Sequence, residues 1–288
     1  MNFGRIFLLT ALAMVAFAAN SLLCRAALKT TRIDPANFTL LRILSGAIAL
    51  WLIVRLRRKK TKNAGNWRSA LALFAYAAAF SFAYRTLSAG TGALLLFGAV
   101  QATMILWGLH KGEPLRALQL LGLTIALGGL VALLLPGISA PPLAGSILML
   151  AAGAAWGIYS LRGREAARPA AATAGNFFRA VPMALALSLV LFPAARLDFS
   201  GAGYAILSGA IASGCGYVIW YSALPGLKAA SAASVQLSVP VLAASGGILL
   251  LGEPLTRRFT LAAVAVVGGI ALVFLERKRP AKERTSSR

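Results

Sequence analysis

Long apolar runs separated by short polar breaks fill almost the whole chain. Ten runs, at 5–28, 35–55, 67–84, 88–109, 114–135, 143–163, 172–193, 203–222, 228–250 and 255–275, predict membrane-spanning helices. A helix needs about 20 apolar residues to cross roughly 30 Å of hydrocarbon. The breaks carry helix punctuation: Pro35, Pro114 and Pro254 each open a predicted helix, where proline's missing N–H costs nothing. Some loops are only a few residues long, so helices 3 and 4 and helices 8 and 9 must form tight hairpins. Pro141-Pro142 divides the chain into residues 1–140 and 141–280, and a basic tail, 281–288, follows. The fold class expected is an all-α membrane protein with ten transmembrane helices.

The pattern repeats itself. Gly112-Glu113-Pro114-Leu115 returns as Gly252-Glu253-Pro254-Leu255, and at the same offset Gly128-Gly129 falls on Gly268-Gly269. Phe17 to Arg25 aligns with Trp156 to Arg164, and Arg42 and Arg179 each follow an Asn-Phe pair in the second helix of their half. A repeat half the protein long points to a duplicated domain rather than a solenoid. Five helices is an odd number, so the second copy enters the membrane upside down. Inverted repeats of this kind place a substrate site near the midplane, where the halves meet.

Composition sharpens the class. The chain is 59% hydrophobic and 12% charged with a net charge of +22, more apolar surface than a soluble domain carries. The basic residues sit in short clusters between apolar runs, which argues for membrane flanks and against nucleic acid. With the N-terminus inside, 20 of the 29 Lys and Arg fall on the inner side, so both termini are expected to be cytoplasmic. The run Ile6 to Leu23 is read as a first membrane helix rather than a signal peptide, because it is long and lacks a convincing cleavage site. Cys24 and Cys215 lie within apolar runs and suggest neither disulfide nor metal.

Candidate chemistry is sparse. There is no nucleophile–base set, metal spacing or phosphate loop, so no enzyme activity and no cofactor are expected, although a membrane-embedded enzyme and a purely structural membrane protein stand as rivals. All seven acidic residues fall in loops or at helix ends, which argues against obligatory proton coupling. Tyr76, Phe80 and Tyr84 share one face of helix 3, Trp156 and Tyr159 one face of helix 6, and Tyr217, Trp220 and Tyr221 one face of helix 8. An aromatic belt at the membrane interface is the plainer reading for Trp220; Tyr76 and Trp156 stand near mid-helix. Gln101 and Gln236 are single amides deep in helices 4 and 9, suited to an interhelical hydrogen bond or to a solute. Arg42 and Arg179 lie inside helices with no acid beside them and require carbonyls, water or a ligand carboxylate. Pro182 and Pro240 interrupt helices 7 and 9 and are candidate hinges. Helices 5 and 10, nearly all Leu, Val, Ile, Ala and Gly, read as peripheral supports or the face of a weak homodimer; otherwise the protein is a monomer.

The two five-helix halves, the Glu-Pro between the fourth and fifth helix of each, the Arg in each second helix and the paired Phe17 and Trp156 segments resemble the drug/metabolite transporter superfamily. Within it the chain is similar to EamA-type exporters, and the two aligned segments look most like the YddG-type aromatic amino-acid exporters. The resemblance implies outward movement of small metabolites across the bacterial cytoplasmic membrane by alternating access, with amino acids as substrates and aromatic ones favoured. Phe17, Tyr76, Trp156, Tyr159 and Trp220 would then line the site, Asn20, Gln101 and Gln236 would pair the polar ends of the substrate, and Arg42 or Arg179 would take its carboxylate. Export of lipophilic drugs or other small metabolites is the alternative. Nucleotide-sugar exchange would call for Lys and Arg clustered at the midplane, which the chain lacks.

Overall fold

The computed structural model describes residues 3–56, 64–112, 117–137, 140–163, 168–227 and 235–277. Its helices are α1 (Phe3–Thr30), α2 (Pro35–Leu56), α3 (Trp67–Tyr84), α4 (Ala89–His110) and α5 (Ala117–Leu134) in the first half. The second half holds α6 (Leu143–Gly163), α7 (Pro169–Val190), α8 (Phe199–Gly226), α9 (Ser238–Leu251) and α10 (Arg257–Arg277). Among the described residues there are ten helices and no strand, and seven of the ten are long and apolar enough to cross a membrane. Glu113, Pro114, Arg164, the basic run 57–63 and the tail 281–288 lie outside the described residues.

Local chemistry explains where helices start and stop. The Asp34 carboxylate accepts the N–H groups of Ala36 and Asn37 at the start of α2, and Asn66 and Ser88 cap α3 and α4 in the same way. Gly112 and Gly252, the first residues of the repeated motif, both adopt positive φ, 82° and 61°. The motif is thus a helix stop: a left-handed glycine that L residues with a Cβ adopt poorly ends α4 and α9 alike. Pro254 does not open α10 as expected but lies in the stretch before it. Pro182 sits inside α7, whose helix continues from Pro169 to Val190. Pro240, expected to interrupt a helix, instead lies in the first turn of α9, where its missing N–H has no intrahelical partner to lose.

Helix packing carries the duplication into three dimensions. The pairs α2–α7, α4–α9 and α5–α10 pack together, and so do α3–α6, α4–α6, α1–α8, α1–α9, α2–α8 and α3–α7. Exchanging each helix with the one five places along turns this set into itself. That is the packing of a pseudo-two-fold arrangement of the two halves. The α5–α10 pair is held by small residues: a Cβ on Gly129 would meet Ala265 at 2.7 Å, and one on Gly122 would strike the Gly269 carbonyl. The outward sides of this pair, including Leu121, Val131, Leu261 and Val264, are exposed and apolar, as a lipid-facing surface requires.

Within α8 the residues Leu207–Cys215 form a π-helical segment. Its hydrogen bonds run from i to i+5, so residues five apart stack on adjacent turns instead of lying about 140° apart as in an α-helix. Ser208 and Ser213 are therefore brought to one side of α8.

Candidate functional site

Between the halves lies a cavity of about 20 Å³ lined by side chains from α1, α3, α4, α6 and α8. Phe17 and Asn20 come from α1, Tyr76 and Phe80 from α3, Trp156 from α6, and Ser213 and Tyr217 from α8. A volume of this size holds about one water molecule, so the site is closed around itself.

Aromatic rings form one wall. Trp156 stacks on Tyr217 with ring centroids 5.2 Å apart and 22° between planes, and on Tyr159 at 5.4 Å and 30°. Its third neighbour, Tyr76, lies 4.9 Å away. Phe17 extends the cluster, 5.9 Å from Tyr217 and 6.0 Å from Trp220. Offset rings at these separations attract beyond their buried area. Such a wall is aromatic and has little fixed charge of its own.

The other wall is polar and centres on the Tyr76 hydroxyl. It accepts hydrogen bonds from Arg42 Nη2 at 2.9 Å and Asn20 Nδ2 at 3.1 Å, while Asn20 Oδ1 accepts one from Ser208 at 2.6 Å. Arg42 is 2% exposed and its guanidinium lies over the Tyr76 and Phe80 rings, 5.1 and 4.8 Å from their centroids. Cation–π contact offsets part of the cost of burying this charge. Sequence reasoning singled out Arg42 by its position alone; the network that ties it to Asn20 and Tyr76 crosses three helices and has no local signature.

Four of the eight residues expected to contact substrate, Phe17, Asn20, Tyr76 and Trp156, meet in this cavity. Tyr159 and Trp220 are buried just behind it, Tyr159 with its hydroxyl between Thr173 and Asn176 of α7 and Trp220 against Phe17. Trp220 is therefore a core residue and not part of an interfacial belt. Gln101 is buried in α4 away from the lining, and Gln236 is half-buried just before the turn at Leu237 that leads into α9. Arg179 is spent on structure: its Nη1 donates to the carbonyls of Ala64 and Gly175, fixing the chain ahead of α3. Among the lining residues that sequence reasoning did not assign to the site are Phe80, Ser213 and Tyr217, the last two from α8. The π-helical segment sets the register of those two, and nothing in a hydrophobicity pattern announces it.

The reading of the acidic residues is also corrected. Glu253, read as a loop carboxylate with no buried role, is 7% exposed and forms an ion pair with Arg25 at 2.9 Å. Its second oxygen accepts the Ala89 N–H at the start of α4, at 2.7 Å. Arg25 also donates to the carbonyls of Tyr84 and Arg85, and Lys29 donates to that of Leu251. These bonds clamp the ends of α1, α3, α4 and α9 together. Beside the clamp lies a pocket of about 190 Å³ whose walls include Leu87, Thr91, Glu253 and Phe259.

The EamA-like transporter family model matches the chain twice, at residues 4–135 and 143–275. An uncharacterized protein of Pseudomonas aeruginosa is 61% identical over 274 residues, covering 95% of this chain and 96% of that one. An uncharacterized transporter of Archaeoglobus fulgidus is 27% identical over 92% of this chain and 96% of its own. The uncharacterized transporter YoaV of Bacillus subtilis is 23% identical over 83% and 86%. A protein crystal structure with 17% identity shares the fold, with a TM-score of 0.69 over 95% of this chain and 99% of that one. A double match spanning both halves of a multi-pass helical chain is decisive: it belongs to the EamA-like transporter family and is a membrane transporter.

Proposed function

We propose that the protein exports amino acids, with aromatic ones favoured, across the bacterial cytoplasmic membrane by alternating access around the cavity between α1, α3, α6 and α8. The observation that carries this reading is the stack of Trp156 on Tyr217 and Tyr159 facing the Asn20–Tyr76–Arg42 network. A flat apolar side chain fits the first surface, and a polar α-carbon end fits the second. The clamp of Arg25 and Glu253 supports a state closed at that end of the bundle. The bias of 20 of 29 basic residues to one side supports cytoplasmic termini.

Counterflow in proteoliposomes containing only this protein tests the function. Vesicles preloaded with unlabelled L-phenylalanine should take up labelled L-phenylalanine transiently, well above protein-free vesicles. Uptake equal to protein-free vesicles for every amino acid tried would remove this reading.

A further inference from the structure

Among the described residues, three buried side-chain polar atoms have no hydrogen-bond partner: Thr10 Oγ1, Arg42 Nη1 and Ser213 Oγ. Two of the three belong to the site. Ser213 lines the cavity, and Arg42 is bonded to one lining residue and lies over the ring of another. Buried polar groups are nearly always satisfied, so one orphan on the cavity wall and another on the side chain bonded to that wall point to a ligand.

Arg42 also lacks a counter-charge. The one ion pair among the described residues joins Arg25 to Glu253 and leaves Arg42 with a single hydrogen bond and two ring faces. An uncompensated guanidinium in a bilayer is costly, and an anion completes it. The Tyr76 oxygen already accepts from Arg42 and Asn20, so its own O–H proton is left to donate.

We infer that the substrate must carry a carboxylate, bound by Arg42 Nη1 and the Tyr76 O–H, and that Ser213 Oγ accepts from the substrate's ammonium group. This rests on the amino-acid reading and deepens it, because it assigns the carboxylate to Arg42 and not to Arg179, whose guanidinium is bonded to the carbonyls of Ala64, ahead of α3, and Gly175, one turn back in α7. It also excludes simple amines and cationic drugs, which would bring a second positive charge beside Arg42.

The test is equilibrium binding to the full-length protein in lipid nanodiscs, read by tryptophan fluorescence, with 3-phenylpropionate, 2-phenylethylamine and L-phenylalanine as probes. A charge-assisted hydrogen bond predicts that 3-phenylpropionate binds at least about tenfold more tightly than 2-phenylethylamine. Arg42→Gln should abolish that preference, and Ser213→Ala should weaken L-phenylalanine more than 3-phenylpropionate. Equal or tighter binding of the amine, no binding of either single-charge probe, or a preference that survives Arg42→Gln would overturn the inference. If Arg42→Gln does not fold, the comparison of the two probes on the unaltered protein still decides. Carboxylate binding without amino-acid counterflow would refute the proposed function and leave this inference standing. Counterflow with equal competition by the amine would do the reverse.

Discussion

Glu253→Gln is the perturbation whose size the structure sets most directly. The Arg25 and Glu253 side chains are 14% and 6% exposed, so water screens their pairing only slightly. Glutamine keeps an acceptor near Ala89 N–H but removes the charge, leaving Arg25 with the carbonyls of Tyr84 and Arg85. Losing one partner of a buried pair costs about 2–4 kcal/mol, which shifts a closed-to-open equilibrium at this end of the bundle by roughly 30- to 700-fold. Removing both partners together leaves no orphaned charge, so Arg25→Gln with Glu253→Gln should shift it less than Glu253→Gln alone. The reporter is Leu87→Cys in a background lacking Cys24 and Cys215, because Leu87 is 1% exposed beside the clamp. Its labelling by a membrane-impermeant maleimide should accelerate strongly in Glu253→Gln and partly revert in the double variant. Unchanged labelling in Glu253→Gln would show that the pair does not hold this end shut.

Three further outcomes follow from the same geometry. Asp198 caps α8, and its carboxyl is held below the usual carboxylate range by the N–H groups of Arg32 and Gly201. A depressed pKa stabilises the fold above the unfolded value and loses that effect as pH falls through the folded one, so the difference in Tm between the parent and Asp198→Asn should shrink on acidification below about pH 4. Gly122→Leu should lower Tm and yield sharply, since its Cβ meets the Gly269 backbone, while Gly128→Leu, with open space around it, should change Tm little; equal effects would contradict the α5–α10 contact. Residues in the 57–66 loop and the tail after Arg277 should label from the cytoplasmic side and Ala140→Cys from the other; Ala64→Cys and Ala140→Cys labelling from one side would sink the inverted-repeat reading.

The sequence carried the architecture well because its signals are local. Apolar runs, Pro35 at the start of α2 and the Gly-Glu-Pro-Leu repeat depend on neighbours along the chain, and the left-handed conformations of Gly112 and Gly252 supply the physical reason for that repeat. Phe17, Asn20, Tyr76 and Trp156, which line the cavity, were legible as candidates because these side chains are polar or aromatic within apolar helices. Ser213 and Tyr217 were not, since a π-helical segment resets the helix face without a composition signal. Glu253 was misread for a related reason. A carboxylate just past a helix end looks solvated until α1 brings Arg25 against it from 228 residues away in sequence.

The central claim, that the Trp156 stack forms the substrate wall, is tested most directly by Trp156→Ala in counterflow. Stacking and burial against the aromatic wall are worth about 1–3 kcal/mol, so the substitution should weaken L-phenylalanine or L-tryptophan transport roughly 5- to 100-fold at low concentration, with L-alanine or L-threonine far less affected. An equal loss for all four amino acids, or no loss for any, would contradict it.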